Sequence, residues 1–486
     1  MKRSIEFVLV ATAVVLFGFA TSLLAQESVI GSPIGNPDPP EAAPVHYPSA
    51  PGTLVIPKSS LPQPTPAGHK FAAHTNVEAL IPAGIEPNEA PPFPGYGYET
   101  PASLACVYGL ITAGFAGCNP YNAPAANPIK GGAKSIAIVD AYDDPSAPGD
   151  LAWFSLQFGL PLALPQFQIV YANNTNSSCV GQVPPVDFSG GWEIEESLDV
   201  EWSHAMAPSA NIYLVEACSP FDTDLQQAVL VANNLVACGN SGINSTSFVL
   251  TVCSTPTLNG EVSMSWGGGE FIGENASDSC ATPDDSCFTM PGVVYFASSG
   301  DSPGVIWPGT SPNVVSAGGL SNRRNAVTFN IVSAGDSTWV DAGAGESAIE
   351  TIPSYQSGNA VVTAICNAGF RCVPDVSFDA DPNTGVYVYD SFPIEGVVFG
   401  PWWVVGGTSV SSPALAGIIN NAASKSGTWY ASTNAELTKI YGEIPSASYF
   451  TPIVSGFCGE YMGFTAVPGG YNFCTGGGAV HSYNGK

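Results

Sequence analysis

One serine of this chain stands in a pattern that favours nucleophilic chemistry. From Gly406 to Gly417, a Gly-Gly-Thr-Ser turn leads into an Ala-rich stretch that predicts a helix. Ser409 would then lie in the first turn of that helix, where unpaired backbone N–H groups favour negative charge. The glycines before it let a substrate come close to the backbone. Such a serine needs a neighbouring group that accepts its proton.

Histidine, the common proton acceptor, is scarce in this chain. Only His204 lies in the part of the chain with regular periodicity, because the others lie in a Pro-rich leader or near the C-terminus, at positions 46, 69, 74 and 481. His204 lacks the glycine-flanked surroundings of a triad histidine in subtilisin-like enzymes. We therefore interpret it as a structural residue of a helix.

Glu195 and Asp199 are better candidates for the base. They are four residues apart in a stretch from Glu193 to Met206 that predicts a helix, so they share one face. Two adjacent carboxyl groups do not both ionise freely, and one can hold and orient the proton of the other. Such a pair can deprotonate a serine in an acidic medium, where a histidine would already be charged.

The same helix carries further acidic and apolar residues. An acidic pair at this spacing usually marks a solvated helix face. Here the apolar residues predict a partly buried helix, and they are Ile194, Leu198, Trp202 and Ala205. We expect the remaining carboxylates of the helix to face the solvent, namely Glu193, Glu196 and Glu201.

Asp301 is a third candidate carboxyl group. It follows an apolar strand, in the turn Ser298-Ser299-Gly300-Asp301-Ser302. An aspartate in such a turn can simply hydrogen-bond its own backbone. At the end of a strand it can also belong to a site, and the turn alone leaves both interpretations open.

The elements around these residues predict an α/β fold. Short apolar runs predict strands at 135–139, 168–171, 211–215, 262–266, 293–297 and 313–316, and helices are predicted at 150–160, 193–206 and 222–237. Strands that alternate with helices indicate a doubly wound parallel sheet with helices on both faces. Ligands of such sheets bind at the carboxyl ends of the strands.

The composition limits the possible partners and surroundings. The chain has 12 basic and 40 acidic residues, with a net charge of −28, which argues against nucleic acid and anionic membranes as partners. The acidity suits an acidic medium, although it can equally serve solubility alone. We expect a monomer that acts on proteins or peptides and that has no membrane attachment after processing.

The N-terminal region predicts export. Residues 1–25 are predicted to be a signal peptide, and an uncleaved anchor helix is the alternative. Residues 26–95 are predicted to be a Pro-rich linker or a short pro-segment. The catalytic domain would span 96–486, and the protein would be secreted or periplasmic. Twelve cysteines support export, with local bridges plausible but connectivity open between positions 106 and 118, 280 and 287, 366 and 372, and 458 and 474.

Taken together, these motifs make the chain resemble the sedolisins, the serine-carboxyl peptidases with a subtilisin-like fold. The resemblance runs from about residue 95 to 478, and its motifs are G-G-T-S-V-S-S-P, E-E-S-L-D, S-S-G-D-S, V-S-M-S-W-G and P-D-V-S-F-D-A-D-P. It implies that Ser409 is the nucleophile, Glu195 the general base and Asp199 its hydrogen-bond partner. It also implies that a protonated Asp301 donates to the oxyanion beside the Ser409 N–H, which favours activity at low pH.

The chain departs from this family at the expected calcium site. The resemblance implies a carboxylate at each of two positions. Here the first position holds Pro452, which precedes Ile453, and the second holds Asn472. Calcium prefers several charged oxygen ligands, so we expect no cofactor here and propose that a Cys458–Cys474 bridge holds the region instead. Calcium bound to the purified protein would contradict this expectation.

Three functions thus remain in view from the sequence. The leading one is a secreted endopeptidase that works through an acyl-enzyme at acidic pH. A catalytically weak or silent extracellular binding protein with the same fold is the alternative, favoured by the altered metal site and the short leader. An esterase is less favoured, because Ser409 does not stand in a G-x-S-x-G elbow.

Overall fold

The computed structural model describes residues 52–484 except for 112–113, 163–165, 175, 240–252, 254, 278–286, 333–336, 445, 447, 460 and 465–469. The strands of this part are β1 (Gly52–Val55), β2 (His74–Thr75), β3 (Glu78–Pro82), β4 (Ser135–Ala141), β5 (Phe167–Tyr171), β6 (Asn211–Ala217), β7 (Gly260–Met264), β8 (Trp266–Gly269), β9 (Val293–Ser298), β10 (Ile306–Trp307), β11 (Val315–Ser321), β12 (Ser337–Thr338), β13 (Gly345–Thr351), β14 (Phe370–Val373), β15 (Val376–Asp379), β16 (Val386–Tyr389), β17 (Trp402–Gly406), β18 (Phe450–Thr451), β19 (Val454–Cys458), β20 (Tyr461–Phe464) and β21 (Ala479–Val480). The helices are α1 (Pro101–Val107), α2 (Ala147–Phe158), α3 (Gly191–Met206), α4 (Asp222–Cys238), α5 (Glu274–Ser277), α6 (Ser354–Ser357), α7 (Ala360–Thr363), α8 (Thr408–Ser426) and α9 (Thr433–Glu443).

A mostly parallel sheet forms the centre of the fold. Its strands lie in the order β18-β21-β15-β11-β9-β7-β4-β6-β5, and all neighbours are parallel except β18 with β21. Strand β12 adds an antiparallel partner to β11. The chain reverses its direction of travel at β4, which lies between β6 and β7. Such a reversal opens a crevice at the carboxyl ends of the strands.

Helices cover both faces of this sheet. Ile136 and Ile138 of β4 belong to a core shared with α3 and α8, whereas Ala137 and Val139 belong to a core shared with α4. Successive strand residues point to opposite faces, so these are the two sides of one sheet. The predicted doubly wound α/β fold is therefore confirmed, and each predicted helix and strand is present with bounds shifted by a few residues.

Five disulfides staple the described part of the chain. The local pairs Cys106–Cys118, Cys366–Cys372 and Cys458–Cys474 were predicted from proximity, and the pairs Cys179–Cys218 and Cys238–Cys253 were not. The predicted bridge of Cys287 to Cys280 falls on a residue outside the described range. Disulfides persist in oxidising compartments, which is consistent with an extracellular or periplasmic protein. None of the helices described here has the length and apolarity needed to cross a bilayer.

Residues 52–95 are structured, contrary to the expectation of a poorly structured linker up to 95. Strand β3 pairs with β1 on one side and with β17 on the other, and β2 pairs with β8. Phe71, Val77 and Leu80 are buried in the two cores. The segment is ordered because its backbone completes sheets with β8 and β17, which lie much later in the chain. The signal peptide at 1–25 lies outside the described residues, and the processing of 26–95 stays a prediction.

Candidate active site

The nucleophile candidate stands on a tight connection between a strand and a helix. Strand β17 ends at Gly406, and α8 begins at Thr408 after a single connecting residue, Gly407, with φ of 105°. A Cβ on Gly407 would lie 2.1 Å from the Asn76 carbonyl oxygen, so only glycine fits this position. Ser409 is buried in the first turn of α8, where its N–H has no partner within the helix.

The hydroxyl of Ser409 lies in a network with two neighbours. Its Oγ donates to the Ser265 carbonyl oxygen at 3.1 Å and accepts from the Asn76 N–H at 3.2 Å. Pro413 lacks the N–H that would bond the Ser409 carbonyl oxygen in a regular helix, and the Ser265 hydroxyl oxygen lies 3.4 Å from that carbonyl oxygen. Ser265 lies between β7 and β8, at the carboxyl edge of the sheet.

The carboxyl pair of α3 lies beside this serine. Asp199 accepts a hydrogen bond from the Ser265 hydroxyl at 2.8 Å. Both oxygens of Glu195 are buried, and within the described residues they have no hydrogen bond of good geometry. The Ser409 hydroxyl is nevertheless near enough to stabilise the ionised form of Glu195, which partly offsets the rise in the pKa of Glu195. Glu195 is therefore an unsatisfied acceptor beside the serine proton.

Burial dominates the electrostatics of this pair. It raises the pKa values of Glu195 and Asp199 well above their ordinary values, and repulsion between the carboxyl groups adds to the rise for Glu195. Asp140, at the end of β4, joins the cluster, and burial raises its pKa to about 8. Three neighbouring carboxyl groups of this kind hold at most a single negative charge near neutral pH. Sequence reasoning missed Asp140, although it ends an apolar strand at the edge where ligands bind.

The other acidic residues of α3 correct an expectation. Glu193, Glu196 and Glu201 were expected to face the solvent, and each is 0% exposed. Burial raises the pKa of Glu193 to about 9 and those of Glu196 and Glu201 well above the ordinary range. The helix is covered on all sides, so it has no solvated face. These carboxyl groups fit the fold in their neutral form.

Asp301 sits at the start of α8, in the turn after β9. Its Oδ1 accepts from the Thr408 N–H at 2.7 Å and from the Thr408 hydroxyl at 2.8 Å. Its Oδ2 is buried and has no hydrogen bond to any residue of the described part. A Cβ built on Gly407 would lie 2.6 Å from that oxygen and 2.1 Å from the Asn76 carbonyl oxygen. The two oxygens therefore face the same side of Gly407.

The surroundings of Asp301 keep its carboxyl group neutral. Burial raises its pKa well above the ordinary value, and the nearby Glu78 and Asp341 raise it further. Glu78 itself, missed from the sequence, has a pKa raised to about 7 by burial and by Asp341 and Asp381. A protonated Asp301 carries an O–H donor, and the free Oδ2 is the oxygen that can present it.

A short extended segment of the chain crosses this group of residues. His74 and Thr75 of β2 pair antiparallel with β8, opposite Gly267 and Trp266. Glu78 of β3 pairs with Gly406, at the end of β17. Asn76, between the two pairings, is fully buried, and its carbonyl oxygen accepts from the Ser409 N–H at 3.0 Å.

Two other predictions concern residues outside this cluster. His204 is buried at the end of α3, where Nε2 donates to the Pro161 carbonyl at 2.9 Å and burial lowers its pKa to about 4, consistent with a structural residue. At the expected calcium position, Asn472 accepts from the Thr475 N–H and donates to the Thr475 hydroxyl, and Pro452 and Ile453 offer no carboxylate. These residues do not fit a calcium site, and the absence of calcium stays a prediction.

Comparisons with known proteins come from sequence and from structure. Kumamolisin from Bacillus sp. (strain MN-32) is 28% identical over 341 residues, which cover 65% of this chain and 53% of that protein. Sedolisin from Pseudomonas sp. (strain 101) is 27% identical over 257 residues, which cover 48% of this chain and 38% of that protein. The chain thus spans about half the length, or less, of the curated relatives it matches. No protein-family model matches it.

A solved structure supports the same relationship. The complex of Pseudomonas sedolisin, a serine-carboxyl proteinase, with two molecules of pseudo-iodotyrostatin has a TM-score of 0.55. The likeness covers 79% of this chain and 95% of that one, at 20% sequence identity. The α/β fold of the subtilisin-like class, predicted from the sequence, is confirmed by this likeness.

Proposed function

We propose that this chain, which belongs to the sedolisin family, is a secreted or periplasmic endopeptidase that hydrolyses peptide bonds at acidic pH. The observation that carries the proposal is that Glu195 lies beside Ser409 and that Asp301 is hydrogen-bonded to the neighbouring Thr408, so both carboxyl groups flank the first turn of α8. The disulfides support a location outside the cytoplasm.

Proton transfer begins the proposed reaction. The Ser409 hydroxyl leaves the Ser265 carbonyl, donates to ionised Glu195 and attacks the substrate carbonyl carbon. Glu195 then passes the proton to the leaving amine. Asp199, fixed by the Ser265 hydroxyl, stays protonated beside Glu195 and stabilises its charge. Water then hydrolyses the acyl-enzyme by the same proton route in reverse.

The oxyanion receives two donors in this proposal. One is the Ser409 N–H at the start of α8, and the other is the protonated Oδ2 of Asp301. Donors fixed in a buried site stabilise the developing charge more than water does, because they need no reorganisation. Activity requires neutral Asp301 together with one negative charge in the Glu195 cluster. Neutral Asp301 is present in acid and is lost as the pH rises, whereas the charge on the Glu195 cluster, whose pKa values are raised, is lost as the pH falls, so the two conditions bound the pH window of activity.

Hydrolysis of a denatured protein across the pH range tests this function. We expect cleavage between about pH 3 and 6, falling toward pH 8, because the ionisation of Asp301 removes a donor. The products are followed by mass spectrometry, with a simple aryl ester as a parallel substrate. Hydrolysis of the ester alone would favour an acyl hydrolase, and an optimum above neutral pH would contradict the carboxyl mechanism.

Asp301 offers a sharper test of the oxyanion role. We expect Asp301→Ala to lower kcat by about 10²–10³-fold, because one oxyanion donor is lost. Asp301→Asn keeps a donor that does not ionise, so it should retain more activity and extend it to higher pH.

Asp341→Asn is the matched control, since it removes a neighbouring charge without touching the donor. Equal losses in the Asp301→Ala and Asp301→Asn variants, with no change of the pH profile, would reject the donor role.

One observation favours a second function. The Asn76 carbonyl already accepts from the Ser409 N–H, so the cleft is filled by the chain itself. A catalytically silent binding protein with this fold would have such a permanently filled cleft. The hydrolysis assay separates the two functions, because a silent protein leaves both the denatured protein and the ester intact.

A further inference from the structure

The first residue of α8 bonds the Asp301 carboxyl group twice. Thr408 is fully buried, and both its N–H and its hydroxyl donate to Oδ1 of Asp301, at 2.7 and 2.8 Å. The helix begins at this residue, so its N–H has no acceptor within α8. Oδ1 therefore has two donors, whereas Oδ2 is buried without a hydrogen bond to any of the described residues.

A backbone group fixes the direction in which the Thr408 hydroxyl points its proton. The Oγ1 atom accepts from the Gly300 N–H at 3.1 Å. A hydroxyl has a single proton to donate, and Oδ1 of Asp301 is its one acceptor within the described part of the chain. The order of donation is therefore set, because Gly300 donates to Thr408 and Thr408 donates to Asp301.

The two donors on Oδ1 decide where a neutral Asp301 has its proton. The titratable groups that act on this carboxyl group are acidic, and they are Glu78 of β3, Asp341 and Glu195 of α3. Their charges favour its neutral form, which has one O–H and one oxygen that is free to accept. A proton on Oδ1 would face the two Thr408 donors, whereas a proton on Oδ2 leaves both hydrogen bonds intact. The neutral form is thus protonated on Oδ2.

We propose that Thr408 is a positioning residue that directs the proton of Asp301 to Oδ2, the oxygen that donates to the oxyanion. The proposal rests on the endopeptidase function given above, in which Asp301 is an oxyanion donor. Thr408 acts through Asp301 and takes no part in proton transfer itself. Without its hydroxyl, Oδ1 would have a single donor, and the O–H of Asp301 would be held less firmly toward the oxyanion.

The Thr408 hydroxyl has a second and opposite effect on the same carboxyl group. A donor to a carboxylate stabilises the ionised form, so this hydroxyl lowers the pKa of Asp301 against the rise that burial causes. Removing the hydroxyl should therefore lower kcat and yet extend activity to higher pH. A substitution that only disturbs the packing of α8 would lower activity without moving its alkaline limit upward. The combination of the two effects identifies the positioning role.

Hydrolysis of a fluorogenic peptide from pH 3 to 8 tests this role, with a peptide built on a bond that the wild-type enzyme cuts in a denatured protein. In Thr408→Val, kcat should fall by about 10- to 100-fold with KM almost unchanged, because the oxyanion donor is misplaced. The alkaline limit should rise by about one pH unit, because a donor to the carboxylate is lost. Thr408→Ser keeps the hydroxyl and should restore both the rate and the limit. Thr408→Ala also lacks the hydroxyl and adds no bulk, so it gives the same test if the valine variant does not fold.

Thr433→Val is the matched control. Thr433 is the first residue of α9, is 2% exposed, and its Oγ1 accepts from the Tyr295 N–H at 2.9 Å, as Thr408 does from Gly300. Its substitution should leave kcat and the pH profile unchanged. An unchanged alkaline limit in Thr408→Val, or a Thr408→Ser variant as impaired as Thr408→Val, would overturn this proposal and leave the peptidase function standing. A wild-type chain that cleaves no substrate would overturn both.

Discussion

Replacing Ser409 by alanine is expected to lower peptide hydrolysis by about 10⁶-fold in kcat, the scale seen when a serine nucleophile is removed from another peptidase. The reason is that the Ser409 hydroxyl is the nucleophile candidate beside the proposed base Glu195, in the same helix turn whose N–H is a proposed oxyanion donor. Glu195 then has no proton to accept, and no acyl-enzyme forms. The measurement is hydrolysis of a denatured protein at pH 4, compared with the wild-type chain.

Ser411→Ala is the matched control for this substitution. Ser411 lies two residues further along α8, is equally buried, and donates its hydroxyl to the Gly318 carbonyl at 2.8 Å. Its loss should cost about 1 kcal/mol of stability and leave hydrolysis almost unchanged. Equal activity in Ser409→Ala and wild type, or equal loss in both variants, would show that Ser409 is not the nucleophile.

Much of the site could be predicted because its parts are local in sequence. Ser409 is marked as a candidate by the glycine turn before a helix, whereas the tight turn at Asp301 left its role open and only the resemblance to the sedolisins assigned it to the site. Glu195 and Asp199 share a face because a helix brings residues four apart together. The structure brings all of these residues to one edge of the sheet, as the alternation of strands and helices predicts. Their catalytic roles stay predictions until the variants are assayed.

The burial of the whole of α3 could not be predicted, because it depends on what packs around the helix. Charged residues such as Glu196 and Glu201 normally mark a solvated face. Here α8 and the sheet cover one part of α3, and α2, α1 and β16 pack against the rest, so both glutamates are 0% exposed. Nothing in the local pattern distinguishes a carboxylate in water from a neutral acid in a core.

The position of residues 74–76 beside Ser409 was not predicted, for a related reason. His74, Thr75 and Asn76 carry no motif, and they lie in a stretch rich in proline and small residues. Their position comes from pairing with β8 and β17, which lie about two hundred and more than three hundred residues further along the chain. Contacts of such separation leave no periodicity in the segment itself. Sequence reasoning therefore assigned these residues, of which Asn76 contacts Ser409, to a linker or short pro-segment.

The buried carboxyl groups predict a protein that is most stable in acid. Asp140, Asp144 and Glu193 are each 0% exposed, and burial raises their pKa values to about 8, 6 and 9. In the unfolded chain these groups ionise near pH 4. Their neutral form is thus favoured only in the folded state. The stability that they contribute is complete below pH 4 and is lost as the pH rises toward the folded-state pKa values.

The slope of this loss is large between about pH 4.5 and 6, where all three groups remain protonated in the fold but not in the unfolded chain. Each contributes about 1.4 kcal/mol per pH unit, so the three together remove about 4 kcal/mol per unit. A typical domain has a free energy of unfolding of about 5–15 kcal/mol. We therefore expect the unfolding midpoint to fall steeply toward neutral pH.

Urea unfolding of the Ser409→Ala variant, which cannot digest itself, measures this loss at half-unit intervals from pH 4 to 7. Glu201→Gln in the same background should gain about 1.4 kcal/mol relative to its parent for each pH unit, because the amide still accepts from the Tyr389 N–H and does not ionise. Glu86→Gln, at an exposed position, should show no such gain. Stability that rises from pH 4 to 7, or equal slopes in the two variants, would mean that the buried carboxyl groups do not govern the acid preference of the fold.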